Sequence, residues 1–253
     1  MIISDCKVEL IDRMGTDLSV VNAARVSFNK KSYYLYDDED PSVEYISDKD
    51  QKLLKYLADH NHILPFAHTF LSFRIKAPIF VARQLGKHQV GLAWNEVSRR
   101  YVDSEPEFFF PEYWRKRAKD KKQGSSDEIV TSFRETLGWS KDENNEPIAN
   151  EFVWFEKPPN TFVEWACRTM VLTYDDLLAT GVCPEQARMI LPQNMMTEWI
   201  WSGSLLAFIR VCNLRLDSHT QKETQDIAKE IAYHLDIVFP NSWGACKKYI
   251  ENI

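Results

Sequence analysis

Apolar and polar positions alternate from Cys6 to Met14, CKVELIDRM, which predicts a β-strand, and Gly15 ends it. Asp17 stands where a helix N-cap belongs, ahead of Leu18, Val20, Val21 and Ala24 at helical spacing, with an end expected near Val26, Ser27 and Phe28. Residues 29–47 are rich in Tyr, Asp and Lys without a period and read as a surface loop. Asp48 or Asp50 opens a second helix, with Leu53, Leu54 and Leu57 on one side, that closes before Pro65. Thr69 to Ala77, TFLSFRIKA, predicts a buried strand whose Phe and Ile side chains belong to a core. Pro78 then suits the first turn of a third helix with Ile79, Phe80, Val81 and Leu85 on its apolar side. Gln84, Lys87 and His88, at i, i+3 and i+4, share the opposite face. After a glycine-containing loop Asn95 is expected to cap a further helical turn, in which Glu96 and Arg100 stand four apart with Ser98 between them.

The pattern changes over residues 102–160, where Glu, Lys, Asp and Asn dominate. Gly124-Ser125-Ser126 and Pro158-Pro159 act as breakers, and Phe108 to Trp114 forms the apolar island. This stretch reads as an insertion or lid packed on a single domain spanning 1–253, since it offers too little apolar surface for a core of its own. From Phe162 onward two or three helices are expected. Trp165, Met170, Leu172, Leu177 and Leu178 give the first an apolar face, Gly181 stops it and Pro184 starts the next. Strands in the first half and helices in the second predict an α+β fold, a mixed β-sheet packed with several helices and a helix-rich C-terminal half.

Composition adds little to the class but much to the site. The chain has 253 residues, 44% hydrophobic and 27% charged, enough for a substantial buried core. No apolar run approaches the roughly 18 residues a membrane span needs, and Asp5, Lys7 and Glu9 interrupt the N-terminus where an export signal would be apolar, so the cytoplasm is expected. Five cysteines without a C-x-x-C pair read as reduced thiols, with Cys183 and Cys212 in core positions. His60, His62 and His68 fall across a helix end, a loop and a strand start, so no metal site is expected. The formal net charge is -6, yet Arg74, Lys76, Arg83, Lys87, Arg99 and Arg100 face the single acid Glu96 between positions 74 and 100. A local positive field in an acidic protein suits one small anionic ligand rather than a nucleic acid. Arg188, in EQARMILP, and Arg215, in VCNLRLDSH, sit among apolar neighbours; each must reach water or find an anion, with Glu185 and Asp217 as the structural partners at hand. If the helix of Arg215 continues, His219 projects on the same side four residues on.

The stretch Ala77–Tyr101 resembles the signature of the flavin-dependent thymidylate synthases, the thymidylate synthase complementing protein family, an A-P-I-F-V-A-R-Q run followed by R-H-R-x-x-S-x-N-E-x-S-x-R-Y. The run is intact from Ala77 to Gln84, and Asn95, Glu96, Ser98, Arg100 and Tyr101 match the second half. Lys87-His88-Gln89 stands in place of R-H-R, the loop to Asn95 is one residue longer, Ala93 or a neighbour replaces the motif serine, and Ser204-Leu205-Leu206 replaces an N-A-R element. Strings around Val8–Ser19, Ala23–Phe28, Arg188 and Arg215 also match.

The resemblance implies methylation of deoxyuridine monophosphate (dUMP) to dTMP, with FAD as cofactor, methylenetetrahydrofolate as carbon donor and NADPH as reductant. It further implies a homotetramer whose active sites draw on more than one subunit. By matching position, Gln84, Glu96, Ser98, Arg100, Arg188 and Arg215 line the dUMP pocket, with Lys87 as a further substrate contact. His62 and His88 lie against the flavin, and Lys87, Gln89, Glu96 and His219 are the other cofactor contacts. Lysine keeps a point charge but loses arginine's planar fork, and glutamine loses the charge. Arg215 is the expected catalytic residue, stabilising negative charge on the uracil ring. Two rival expectations stay open: the changed loop at 87–94 suggests a hydroxymethylating pyrimidine-nucleotide enzyme, and the missing flavin contacts suggest a nucleotide-binding homologue without catalysis.

Overall fold

The computed structural model describes residues 2–102, 104–119, 125–144, 146–155 and 159–247; Gly124 and Pro158, expected as breakers, lie outside them. These residues form two compact units, one of Asp5–Ser98 with Met196–Ile253 and one of Met1–Ser4 with Arg99–Met195.

The first unit is built on a four-stranded sheet in the order Lys7–Met14, Phe70–Pro78, Met196–Ser204, Leu92–Glu96. The α+β class holds, but every pairing in this sheet is antiparallel where a mixed sheet was expected. A parallel pairing occurs only in the other unit, between Ile2–Ile3 and Glu107–Phe108, among the described residues. One face of the sheet carries Leu71, Phe73, Ile75, Ala77, Trp199 and Trp201, all at most 1% exposed. Against it pack Phe208, Val211 and Cys212 from the helix Leu205–Arg215, with Ile227, Ile231 and Leu235 from the helix Lys222–Val238 in the same core. The predicted strands at Lys7–Met14 and Phe70–Pro78 and the predicted helix at Asp48–Asp59 are present.

Local signals were overruled at several points. Asp17 is not the cap of its helix: Thr16 takes that place, and the buried Asp17 carboxylate accepts from Asn241 N (2.9 Å), Asn241 Nδ2 (3.0 Å) and Ser242 N (2.8 Å). Those donors open the helix Pro240–Cys246, so a negative charge satisfies a helix N-terminus far away in sequence. The loop at 29–47 contains a short antiparallel pairing of Leu35–Tyr36 with Glu44–Tyr45. No second helical turn follows Asn95; Leu92–Glu96 is a strand, because pairing with Met196–Ser204 satisfies more backbone than one isolated turn could.

The buried Asp50 ties this unit together. It receives Arg25 Nε (2.9 Å), Ser32 Oγ (2.9 Å) and Ser47 Oγ (2.8 Å). Burial alone would raise this carboxyl, but the bonds from Arg25, Ser47 and Ser32 outweigh it and hold it below the ordinary value. A depressed folded-state value means the stabilisation is complete above the unfolded value of about 3.9 and is lost as pH falls through the folded one. We therefore expect unfolding free energy, from urea titrations at stepped pH, to decline below about pH 4. Asp50→Asn should be less stable at neutral pH and should show a shallower acid decline; equal slopes would remove Asp50 from the account.

The other unit holds antiparallel pairs Arg115–Arg117 with Ser125–Ile129 and Phe133–Lys141 with Pro147–Phe155, strands that the charged composition of 102–160 did not reveal. They are followed by the helix Asn160–Ala179, the short helix Pro184–Ala187 and a single 3-10 turn at Arg188–Ile190. In the long helix the buried positions are Cys167, Val171 and Tyr174; of the expected apolar face Trp165, Met170 and Leu172 are exposed within this chain and Leu177 and Leu178 are half-buried. Cys183 is likewise exposed, contrary to expectation, and Cys212 is buried as expected.

Candidate active site

The helix Ile79–Leu85 ends at Gly86, so Gln84, Lys87 and His88 do not share one helical face as their spacing predicted. His88 N donates to Leu85 O (3.0 Å) and Leu92 N to Gln89 O (3.3 Å), turning the chain back into the strand Leu92–Glu96. The turn opens a cavity of about 590 Å³ lined by Ile79, Ala82, Arg83, Gly86, Lys87, His88, Gln89, Leu92, Trp94 and Glu96. That volume is within the range of small-molecule sites. Lys87, His88, Gln89 and Glu96 are thus brought together as expected. Arg83, from the local positive field, joins them, and Trp94 does so unannounced; the alternation of Leu92, Trp94 and Glu96 was the signal that could have placed Trp94.

Glu96 is held by Thr197 Oγ1 (2.7 Å to Oε1) and Trp94 Nε1 (3.2 Å to Oε2). Trp94 stacks on buried Trp199 with centroids 4.3 Å apart and meets Trp201 edge-on at 5.5 Å, so one wall of the cavity is backed by rigid aromatic core.

Behind His88 stands Arg215, the last residue of the helix Leu205–Arg215. Its Nε donates to His88 Nε2 (2.9 Å) and its Nη2 to Gln84 O (3.3 Å). Burial pulls the guanidinium below its ordinary value. Asp217, the structural anion considered for it, is engaged with His219 instead, accepting from its backbone N (2.8 Å) and lying 2.9 Å from its Nδ1. His219 is also off the helix, which ends at Arg215, so it does not share a face with Arg215 as expected. Among the described residues the acceptors of Arg215 are neutral, and its charge stays uncompensated by them. Close by in the chain, Gln84 Oε1 is buried with no hydrogen-bond partner. Burial pushes the His88 imidazole below its ordinary value, with the Arg215 charge adding to the effect.

His62 is exposed and lines a separate cavity of about 390 Å³ with Ala23, Phe28, Leu57, Leu64 and His68, so it does not meet His88 within one chain. In the other unit Arg100 Nε pairs with Glu185 Oε1 (2.6 Å), while Arg188 Nε donates to the backbone O of Glu185 (3.4 Å). Arg100 and Arg188 are thus brought together at Glu185, and its carboxylate goes to Arg100 rather than to Arg188. Ser98 closes the first unit. Ser204 caps the helix that ends at Arg215 by accepting from Ala207 N (3.2 Å), and Leu205 is core, so this departure from the family pattern has a structural role.

An isoalloxazine ring presents imide N–H and carbonyl edges, and the residues fit such a group. Among the lining residues His88 and Trp94 offer ring surfaces, Gln89 offers an amide, and Arg83 and Lys87 supply positive charge.

Comparison with known proteins bears on this arrangement. The family model described as thymidylate synthase complementing protein matches residues 9–241. A flavin-dependent thymidylate synthase of Thermotoga neapolitana is 36% identical over 242 residues, 96% of this chain and 91% of that protein. One from Thermosipho africanus is 34% identical over 225 residues, 89% of this chain and 83% of that protein. Among solved structures, a UMP/dUMP methylase, PolB from Streptomyces cacaoi, bound with 5-Br dUMP, matches with a TM-score of 0.71 at 25% identity, covering 96% of this chain and 95% of that one.

Proposed function

We propose that this chain, which belongs to the thymidylate synthase complementing protein family, is an enzyme that methylates dUMP to dTMP with a flavin cofactor. The observation that carries the chemistry is the half-buried Arg215 guanidinium, whose acceptors among the described residues are neutral. Gln84, whose backbone oxygen accepts from Arg215, also carries a buried side-chain Oε1 that has no hydrogen-bond partner among the described residues. The uracil ring offers an imide N–H and flanking carbonyls, the complementary pattern. Carbon C5 of uracil is a weak nucleophile, and it gains strength when negative charge accumulates on the ring. A preorganised cation in a partly desolvated site stabilises that charge without rearranging.

FAD is the flavin we assign, and when bound it supplies hydride transfer. Lys87, His88, Gln89 and Glu96 would hold it or the nucleotide at the cavity wall, with Thr197 and Trp94 fixing the Glu96 carboxylate. Methylenetetrahydrofolate is the carbon donor and NADPH the reductant in this reading. Arg100 and Arg188 are assigned to the dUMP phosphate with Ser98; both arginines are exposed, and phosphate would replace Glu185 as the partner of Arg100.

His219, exposed and bound to Asp217, is assigned to the cofactor on the family resemblance alone. A homotetramer with shared sites accounts for three features. His62 and His88 line different cavities, Phe28 and Leu64 beside His62 are 75% and 73% exposed, and Trp165 and Leu172 face outward. Exposed apolar surface of this extent is what protein contacts cover. No described helix is long and apolar enough to cross a membrane, and the cytoplasm is the assigned location.

The test is release of tritium from 5-tritiated dUMP by the purified protein with FAD, methylenetetrahydrofolate and NADPH, followed by identification of the product. Release with dTMP as product is expected. A hydroxymethyl product would select the rival chemistry, and absence of both release and flavin binding would overturn catalysis altogether.

A further inference from the structure

The bond between Arg215 and His88 joins residues 127 positions apart and has a direction. A guanidinium Nε–H can only donate, so His88 Nε2 must carry a lone pair, and the neutral ring then holds its proton on Nδ1. The same Arg215 is steadied from below by Gln84 O, at the end of the helix Ile79–Leu85. The His88 ring itself is braced by its backbone bond to Leu85 O and by Trp201, whose ring centroid is 6.5 Å away. Among the described residues Arg215 therefore has one side-chain acceptor, and that acceptor, His88, lines the cavity.

We propose that His88 is the positioning residue for Arg215: neutral, with its proton on Nδ1, it accepts the Arg215 Nε–H and aims the guanidinium, and protonation of the ring releases it. Protonated His88 has no acceptor, and it places a second positive charge against Arg215 at bonding distance. The surrounding carboxylates already have hydrogen-bond partners of their own. The helix Ile79–Leu85 contributes Arg83 and the turn after it Lys87; Glu96 lies across the cavity on the strand Leu92–Glu96 and is engaged by Thr197 and Trp94; Asp217, beyond the end of the Arg215 helix, is engaged by His219. The active form of the site is thus the one with neutral His88, and turnover should show an acid limb that belongs to this residue. Burial and the nearby guanidinium both favour the neutral ring, which sets that limb below the ordinary histidine value of about 6.5. This assignment deepens the reading of Arg215 as the catalytic cation and rests on it for its effect on turnover, but its geometric core does not.

Two measurements separate the parts. In the flavin-free protein, nitrogen NMR of His88 should report the Nδ1–H tautomer. The Arg215 Nε–H signal should be protected from exchange above the His88 titration and exchange at least tenfold faster below it. An Nε2–H tautomer, or an Arg215 signal indifferent to pH across that titration, overturns the proposal whatever the enzyme does.

In the flavin-loaded enzyme, His88→Gln, which retains an acceptor near the Nε2 position but cannot titrate, should lower turnover and lose the acid limb seen in the parent. His88→Phe removes the acceptor and should lower kcat at least tenfold more than His88→Gln, with Arg215 Nε–H protection lost. Equal damage from both variants with the acid limb retained in His88→Gln would show a merely structural ring and defeat the proposal. If the NMR signatures hold while no variant and no parent releases tritium, the positioning stands and the reading of the function falls.

Discussion

Arg215→Ala should fold normally and turn over dUMP about 10² to 10³ times more slowly, the usual cost of removing one preorganised charge-stabilising group. The structural penalty should be small, because Gln84 O and His88 Nε2 are half-exposed acceptors that water can reach once the guanidinium is gone. Thermal unfolding and far-UV circular dichroism should therefore match the parent while tritium release collapses. Arg215→Lys is the sharper arm. An ammonium restores the charge but not the fork that donates through Nε and Nη2 at once, so it should recover only part of the rate. Near-normal turnover in Arg215→Ala would remove the electrostatic account; full rescue by lysine would show that charge alone, without the orientation imposed through His88, is what the reaction needs.

Gly203→Ala should give the largest effect away from the charged groups. A Cβ at this position would lie 2.4 Å from Gly91 O and 2.6 Å from Leu92 Cδ2, and the first of these is backbone that cannot swing aside. Gly91 is itself in the left-handed region, φ +74°, and its carbonyl accepts from Ser204 N at 3.3 Å. Leu92 and Gly203 are paired across the sheet, so relief of the clash must push the strand Leu92–Glu96 outward from its first rung. That strand carries Leu92, Trp94 and Glu96 into the cavity wall. We expect a loss of about 1–3 kcal/mol of unfolding free energy, the ordinary cost of overpacking, together with weaker flavin binding measured by fluorescence titration. Gly244→Ala is the control: nothing lies within 4 Å of its Cβ, it sits in the helix Pro240–Cys246, and alanine there should be neutral or slightly stabilising. Similar losses at both positions would mean that the close approach of Gly91 is not what the sheet depends on.

Local periodicity made much of this protein legible. The alternation in Lys7–Met14 and Phe70–Pro78 and the leucine spacing of Asp48–Asp59 are properties of a few consecutive residues, and each element formed where that spacing placed it. The charge imbalance around Arg83, Lys87 and Glu96 and the apolar company of Arg215 were legible for a similar reason, since an unpaired cation among Leu and Val is costly in any fold. The family strings spaced along the chain carried the reaction class.

The strand Leu92–Glu96 was not legible, because Asn95 offers a local cap and the competing partner lies a hundred residues downstream. That partner, Met196–Ser204, also passed unread, and with it the tryptophan wall behind the cavity. What the chain states by itself is which residues carry charge, which carry apolar surface and what period they keep. Only the pairing of four antiparallel strands decided that His88 and Arg215, 127 residues apart, share one hydrogen bond. The physical reason is that such a meeting depends on packing between distant segments, and side-chain periodicity records only what each segment does alone.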